Sequence, residues 1–377
     1  MRSVLAVILS ATWLTAVLAP AAAGTDVPGR DVVMFSTDYG LGIVGGATNG
    51  PGRHAADVDD AYALSLALQS ADVQAVVTSF GNDKARPSAE AARRGLDALG
   101  VPGAASLVTV GAEGFLDAEA VAFVPARATD PVIYCVNDGV KQMRDTLEAN
   151  ERATVTLFAI GPFTDIACLQ RAYPDAFGRL AEIVGLVGSA DGTPVLQGID
   201  VVDFNYAMDP TALGEVISGD HGVPITFLMF GVTQFGSLTN EVLDGWVSDG
   251  TKAQRYYGQA SQPHATYWDA IFTQTDGQAL FDAHTVYYFL QPDAYVCEDG
   301  MLATATVGGY PDTSASTTSN TLVVTSQDGT TPSSSATSDG STYAFAGPVR
   351  GCQAFASDDG VAAFEQAVRA SVRAVAP

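Results

Sequence analysis

Asp38, Asp57, Asp59 and Asp60 are the residues most able to do chemistry together. They occur as Thr37-Asp38-Tyr39-Gly40 and, after a glycine-rich interval, as Asp57-Val58-Asp59-Asp60-Ala61. Carboxylates this close repel one another unless something positive lies among them, and a hard, oxygen-seeking cation is the simplest answer. The plainer reading is a set of solvated acids, with Asp57 or Asp59 capping a helix.

The elements around them favour the chemical reading. The apolar run Val32-Val33-Met34-Phe35 predicts a strand ending just before Asp38, and Ala61, Leu64, Ala67 and Leu68 recur at helical spacing. The acids therefore sit at a strand's carboxyl end and at the next helix's amino end, where open α/β sheets gather their ligands. The same alternation continues. Val73 to Thr78 leads through Gly81-Asn82 to a helix from about Ser88 to Leu99, and Thr154 to Ile160 leads through Gly161-Pro162 to a helix with Ile166, Ala167 and Leu169. Ile183 to Val187 and Pro224 to Phe230 behave alike. This predicts an α/β fold, a Rossmann-like, mainly parallel sheet with helices on both faces, whose polar turns converge on one edge.

Met1-Arg2, an apolar stretch to Leu18 and the small-residue end at Ala21-Ala22-Ala23 read as a secretory signal peptide over residues 1–23. The chain is then expected to be secreted or periplasmic, with residues 24–377 as a single domain. An uncleaved membrane anchor is the alternative, although the apolar stretch is short for a span. No later stretch is apolar enough to cross a bilayer, so no membrane contact is expected after cleavage. A net charge of −24 argues against a nucleic-acid partner, because a polyanion would be repelled over most of the surface. Cys135, Cys168, Cys297 and Cys352 allow two disulfides in an exported chain; Cys297 with Cys352 would tie off the low-complexity segment between them, and free buried thiols are the other possibility. Residues 313–342, rich in Ser, Thr and Gly, read as a loop or extended hairpin around Leu322-Val323-Val324, and Val361 to Val375 as a closing helix.

Further stretches join the aspartates: Phe80-Gly81-Asn82, Gly161-Pro162-Phe163-Thr164-Asp165-Ile166-Ala167, Asp203-Phe204-Asn205 with Asp209-Pro210, and Leu280-Phe281-Asp282. Taken in order, they resemble the nucleoside hydrolases of the inosine-uridine-preferring type from about Asp31 onward. That resemblance implies the nucleoside hydrolase fold and Ca²⁺-dependent hydrolysis of the N-glycosidic bond of ribonucleosides, as in purine and pyrimidine salvage. It implies a small-molecule nucleoside substrate and a homo-oligomer, dimer or tetramer. By the same resemblance Asp38 would ligate calcium and act as base; Asp60, Asp282 and the Ile160 carbonyl would complete the metal site; Asp59 and Asn82 would hold the ribose. Asp203 and Asn205, alternating along an extended segment, would bind its 5′ end.

The residues also read more plainly one by one. Asn82 after Gly81 could be only a turn, Asp203 with Asn205 an exposed edge, and Thr164-Asp165 most resemble a helix cap without a catalytic role. The sequence departs from the family pattern as well. Residues 41–56 intervene in the first motif, as an outward loop or lid that carries His54. Phe281 stands where the family has its leaving-group histidine, leaving stacking, His54, His284 or solvent to help the base depart. Trp268-Asp269 offers a second placement for the last metal ligand, and Gln197 stands where an Asn is common. A protein that binds a nucleoside or ribose without turnover, and a hydrolase of another N-ribosyl compound, are the alternative functions.

Overall fold

Continuous apolar runs need a sheet covered on both faces, and the computed structural model forms one. It describes residues 31–44, 55–116, 135–190, 195–196, 199–272, 276–307, 322–326 and 343–375. The strands are β1 (Val32–Thr37), β2 (Asp72–Thr78), β3 (Val108–Val110), β4 (Val155–Ile160), β5 (Leu180–Leu186), β6 (Val195–Leu196), β7 (Ile199–Asp200), β8 (Ile225–Leu228), β9 (Ser237–Leu238), β10 (Gln278–Ala279), β11 (Tyr295–Val307), β12 (Val323–Thr325) and β13 (Tyr343–Phe355). Helices α1 (Asp59–Ser70), α2 (Ala85–Ala98), α3 (Ala104–Leu107), α4 (Asp138–Ala149), α5 (Thr164–Ala172), α6 (Pro174–Phe177) and α7 (Phe204–Met208) lie among them. They are followed by α8 (Pro210–Ser218), α9 (Phe230–Thr233), α10 (Asn240–Asp249), α11 (Lys252–Ile271), α12 (Ala283–Leu290) and α13 (Gly360–Ser371).

Strand alternation splits the core in two. Val33 and Phe35 of β1 join one buried cluster with Phe158 and Ile160 of β4, whereas Met34 joins the other with Leu157 and Ala159. The nine-stranded sheet runs β12-β11-β13-β8-β5-β4-β1-β2-β3. Every neighbouring pair from β13 to β3 is parallel, while β11 and β12 add an antiparallel edge. After β3 the chain crosses back to place β4 on the far side of β1, so the order reverses between those two strands. Connections leave their carboxyl ends in opposite directions and open a crevice there. Thr37 and Ile160, the last residues of β1 and β4, face each other at that point.

Cys297 and Cys352 are register partners on β11 and β13 and form a disulfide, as the sequence suggested; Cys135 bonds Cys168, and no cysteine is free. Among the described residues no helix is long and apolar enough to cross a membrane. Of the Ser/Thr/Gly-rich segment, residues 322–326 are described, and β12 within it pairs with β11. The signal-peptide residues lie outside the described ones.

Thr164 and Asp165 are not the helix cap expected of them. Phe163 holds that position without a side-chain bond, and Asp165 accepts from Ala112 N at 2.9 Å and Asn137 Nδ2 at 2.8 Å. Thr164 Oγ1 donates to Asp209 Oδ2 at 2.6 Å, and Asp209 also accepts from Leu116 N at 3.0 Å. These two buried acids tie Leu116 and Asn137 to the sheet. Burial pushes the Asp165 carboxyl from an ordinary 3.8 up to about 6, against its two hydrogen bonds. A folded-state pKa above the unfolded one gives stability that is complete below the unfolded value and lost as pH rises through the folded value. The stability advantage of the parent over Asp165→Asn should therefore shrink by up to about 3 kcal/mol between pH 4 and pH 7, as read by urea unfolding at each pH.

Candidate active site

Asp38 is the first residue after β1, Asp59 and Asp60 open α1, and Asp282 immediately precedes α12. All four are buried, and all line a cleft of about 620 Å³ at the sheet's carboxyl edge. Carboxylate oxygens of Asp59, Asp60 and Asp282 lie within 4.8 Å of one another. Asn82 N donates to Asp38 Oδ2 at 2.7 Å, Asp282 N to Asp59 Oδ2 at 3.0 Å, and the Thr37 hydroxyl to Asp60 Oδ1. Helix capping explains none of the four acids of the first motif. Val58 holds the cap position without a side-chain bond, while Asp57 Oδ1 accepts from Val58 N at 2.7 Å. The amino end of α1 favours negative charge at Asp59 and Asp60, though far too weakly to offset what opposes it. Burial first, then the neighbouring carboxylates, hold Asp59, Asp60 and Asp282 well above the usual carboxylate range.

Asp60 Oδ2 is buried and has no hydrogen-bond partner. Such an orphan is costly in a low-dielectric site. An oxygen-only donor set with an unsatisfied oxygen fits a hard divalent cation. Ile160 is 1% exposed and its side chain belongs to the core, so only its carbonyl is left for a ligand.

Two glycines let the strand ends close on Asp38. A Cβ on Gly161 would stand 2.8 Å from Asp38 N, and one on Gly81, whose φ is +150°, would stand 2.1 Å from Asp38 Oδ2. This is the physical content of the Gly-Asn pair. The Gly81→Ala variant should therefore displace the Asp38 carboxylate and lower kcat by about a hundredfold, measured beside the parent under saturating substrate.

The two halves of the aspartate motif meet in space. Ala56 N donates to Ile43 O at 3.0 Å and Val44 pairs with Ala55 in an antiparallel bridge. Val44 and Ala55, the described residues on either side of the interval, are thus neighbours in space. His54 lies outside the described residues.

Asn82 and Asn205 line the cleft together with Asp203. Asn82 Oδ1 accepts from Asp57 N at 3.2 Å, which couples the two aspartate-bearing turns. The extended segment expected at Asp203 and Asn205 is instead a helical turn. Asp203 caps α7, accepting from Tyr206 N at 3.4 Å and from Gly188 N at 2.9 Å, while Asn205 Nδ2 donates to Leu186 O at 3.1 Å. Both side chains remain at the cleft because the turn is pinned to the end of β5. Burial pushes the Asp203 carboxyl up to about 7, against the backbone N–H groups it accepts from.

Beyond the acids the cleft becomes aromatic. Phe281 stacks on Phe230 with ring centroids 5.8 Å apart, and Trp268 meets Phe281 edge-on at 5.9 Å. Asp282 belongs to the acidic group; Asp269 faces Asn240 Nδ2 at 2.7 Å and Gly277 N at 3.1 Å. His284 is no candidate for assisting a leaving group. It is buried between Tyr295 OH at 2.9 Å and Phe235 O at 2.8 Å, and burial lowers its pKa to about 3. Gln197 lies outside the described residues. The sequence reading missed His264, Tyr267 and Ile271, which line the cleft with Trp268. Their spacing along α11 was the available signal, since residues three, four and seven apart share a helix face.

A doubly covered parallel sheet, with buried acids at its switch point and an aromatic wall beside them, defines an α/β protein that binds a small ligand at the carboxyl edge of its sheet. The family model for inosine-uridine preferring nucleoside hydrolases matches residues 54–344, and the chain belongs to that family. It is a ribonucleoside hydrolase, an N-glycosidase. Among curated relatives, the pyrimidine-specific ribonucleoside hydrolase RihA of Escherichia coli O127:H6 is 26% identical over 274 residues, covering 67% of this chain and 82% of that protein. The fold is similar to a plant nucleoside hydrolase, PpNRh1, with a TM-score of 0.63 at 18% identity over 93% of this chain and 100% of that one. An inosine-guanosine nucleoside hydrolase gives a TM-score of 0.61 at 18% identity, over 90% and 98%.

Proposed function

We propose that this chain is an exported, Ca²⁺-dependent ribonucleoside hydrolase that frees a base and ribose for scavenging. The observation that carries the reading is the buried group Asp59, Asp60 and Asp282, with the unsatisfied Asp60 Oδ2 among them. Asp38, Asp60, Asp282 and the Ile160 carbonyl would hold the ion. Calcium, when bound, would supply Lewis acidity toward water and the ribose hydroxyls. Asp38 takes the proton from the water that adds to C1′. Asp59 and Asn82 hold the ribose hydroxyls, and Asp203 and Asn205 hold its 5′ end through lone pairs and protons not committed to the backbone. The transition state carries positive charge on the sugar, and the surrounding carboxylates favour that charge over the neutral ground state.

Export is supported by the leader over residues 1–23 and by the two cysteine pairs, which persist in oxidising compartments. A homo-oligomer is the assembly we propose. Ribose release from inosine, uridine and adenosine, with and without a chelator, tests the reading. Release from at least one of them, abolished by the chelator, is the expected result. Tight nucleoside binding with no ribose formed would favour a binding protein and end the proposal.

A further inference from the structure

With phenylalanine at position 281, the departing base lacks the proton donor that a histidine there would supply, and His264 lines the same cleft, with Trp268 in contact with both rings. It comes from α11, is 3% exposed, and touches Asp57 of the acidic half and Trp268 of the aromatic half, which places it at the seam between them. Its ring stacks on Trp268 with centroids 5.6 Å apart, and its Nδ1 lies 3.8 Å from Asp57 Oδ1. The glycosidic nitrogen must sit at that seam if ribose rests on the acids and the base against the aromatic wall.

Gln278 fixes the histidine's protonation pattern. Gln278 Nε2 donates to Ala279 O at 2.8 Å and to Asp57 Oδ1 at 3.3 Å, both of which can only accept. The amide is thereby oriented with Oε1 toward His264 Nδ1, 2.8 Å away. An amide oxygen only accepts, so Nδ1 carries a proton in either charge state. The neutral ring then keeps its lone pair on Nε2, which has no hydrogen-bond partner among the described residues. Nε2 is the atom left for a ligand.

We propose that His264 is the general acid for the departing base, oriented by Gln278 and Asp57. The proposal rests on the ribonucleoside hydrolase reading above. As the C1′–N bond breaks, its electron pair goes to the base, which takes the proton from His264 Nε2. The oxygen of water bonds to C1′, its proton goes to Asp38, and the neutral imidazole regains a proton from solvent. Among the described residues, the titratable groups facing the ring are Asp57 from the approach to α1 and Tyr267 from its own helix; β10 offers the neutral Gln278.

The test compares His264→Ala with the parent on a nucleoside the parent hydrolyses and on 4-nitrophenyl riboside, whose leaving phenolate needs no proton. Turnover of the nucleoside should fall by about 10²–10⁴-fold, and that of the aryl riboside should stay within about threefold. The alkaline limb of the kcat profile, where a general acid loses its proton, should vanish in the variant. Gln278→Leu should slow the nucleoside more than the aryl riboside, because the ring loses the acceptor that holds Nε2 free for the base. Equal losses on both substrates would overturn the proposal in favour of a structural role, since the aryl substrate reports an intact acidic floor. Unchanged nucleoside turnover would overturn it in favour of another donor. A parent inert toward both substrates would refute the hydrolase reading itself, a different result from either.

Discussion

Asp38→Asn should lower kcat by about 10²–10⁴-fold with little change in KM. The substitution removes the carboxylate's basicity and retains an oxygen in place to accept from Asn82 N, which now donates to Asp38 Oδ2 at 2.7 Å. The turn after β2 should therefore stay where it is, and in chelator the melting temperature should remain near that of the parent. Asp38→Ala removes the acceptor too, and should abolish turnover while loosening that turn. Steady-state kinetics with thermal unfolding of both variants separates the two effects. Near-normal kcat in Asp38→Asn would mean that another group deprotonates the water.

Calcium should stabilise the parent and reverse the ranking of an acidic-site variant. At a hundredfold excess over its Kd, a ligand confined to the folded state adds about 2.7 kcal/mol to the unfolding free energy. In Asp60→Asn, Oδ1 can still accept from the Thr37 hydroxyl, while the orphaned, buried Oδ2 is replaced by an amide nitrogen. One charge is removed from among carboxylates that repel it. In chelator, Asp60→Asn should thus melt at or above the parent; in calcium it should melt below it and have lost turnover. Scanning calorimetry in both buffers decides the matter. A variant that ranks below the parent in both would show that Asp60 serves the fold rather than an ion.

The sheet was legible because its strands are buried on both faces, which leaves uninterrupted apolar runs such as Val155 to Ile160 between polar turns. The acidic floor was legible for a related reason: Asp38, Asp59 and Asp60 sit where a strand ends and a helix begins. What escaped had no local signature. Asp203-Phe204-Asn205 suits an extended segment or a helical turn equally, and contacts with Gly188 and Leu186, far from it in sequence, decide for the turn. α11 carries Pro263 inside it, which blurs the helical pattern just ahead of His264 and Trp268. The insertion of the last strand, β13, between β8 and β11 is a long-range pairing that no stretch of sequence announces.

Val44 and Ala55 stand side by side, so two positions eleven apart in the chain are already fastened to each other before anything between them is considered. An affinity tag or a fluorescent reporter spliced between those two residues should leave kcat at the parent's value, because the bridge holds the approaches to Asp38 and Asp57 together.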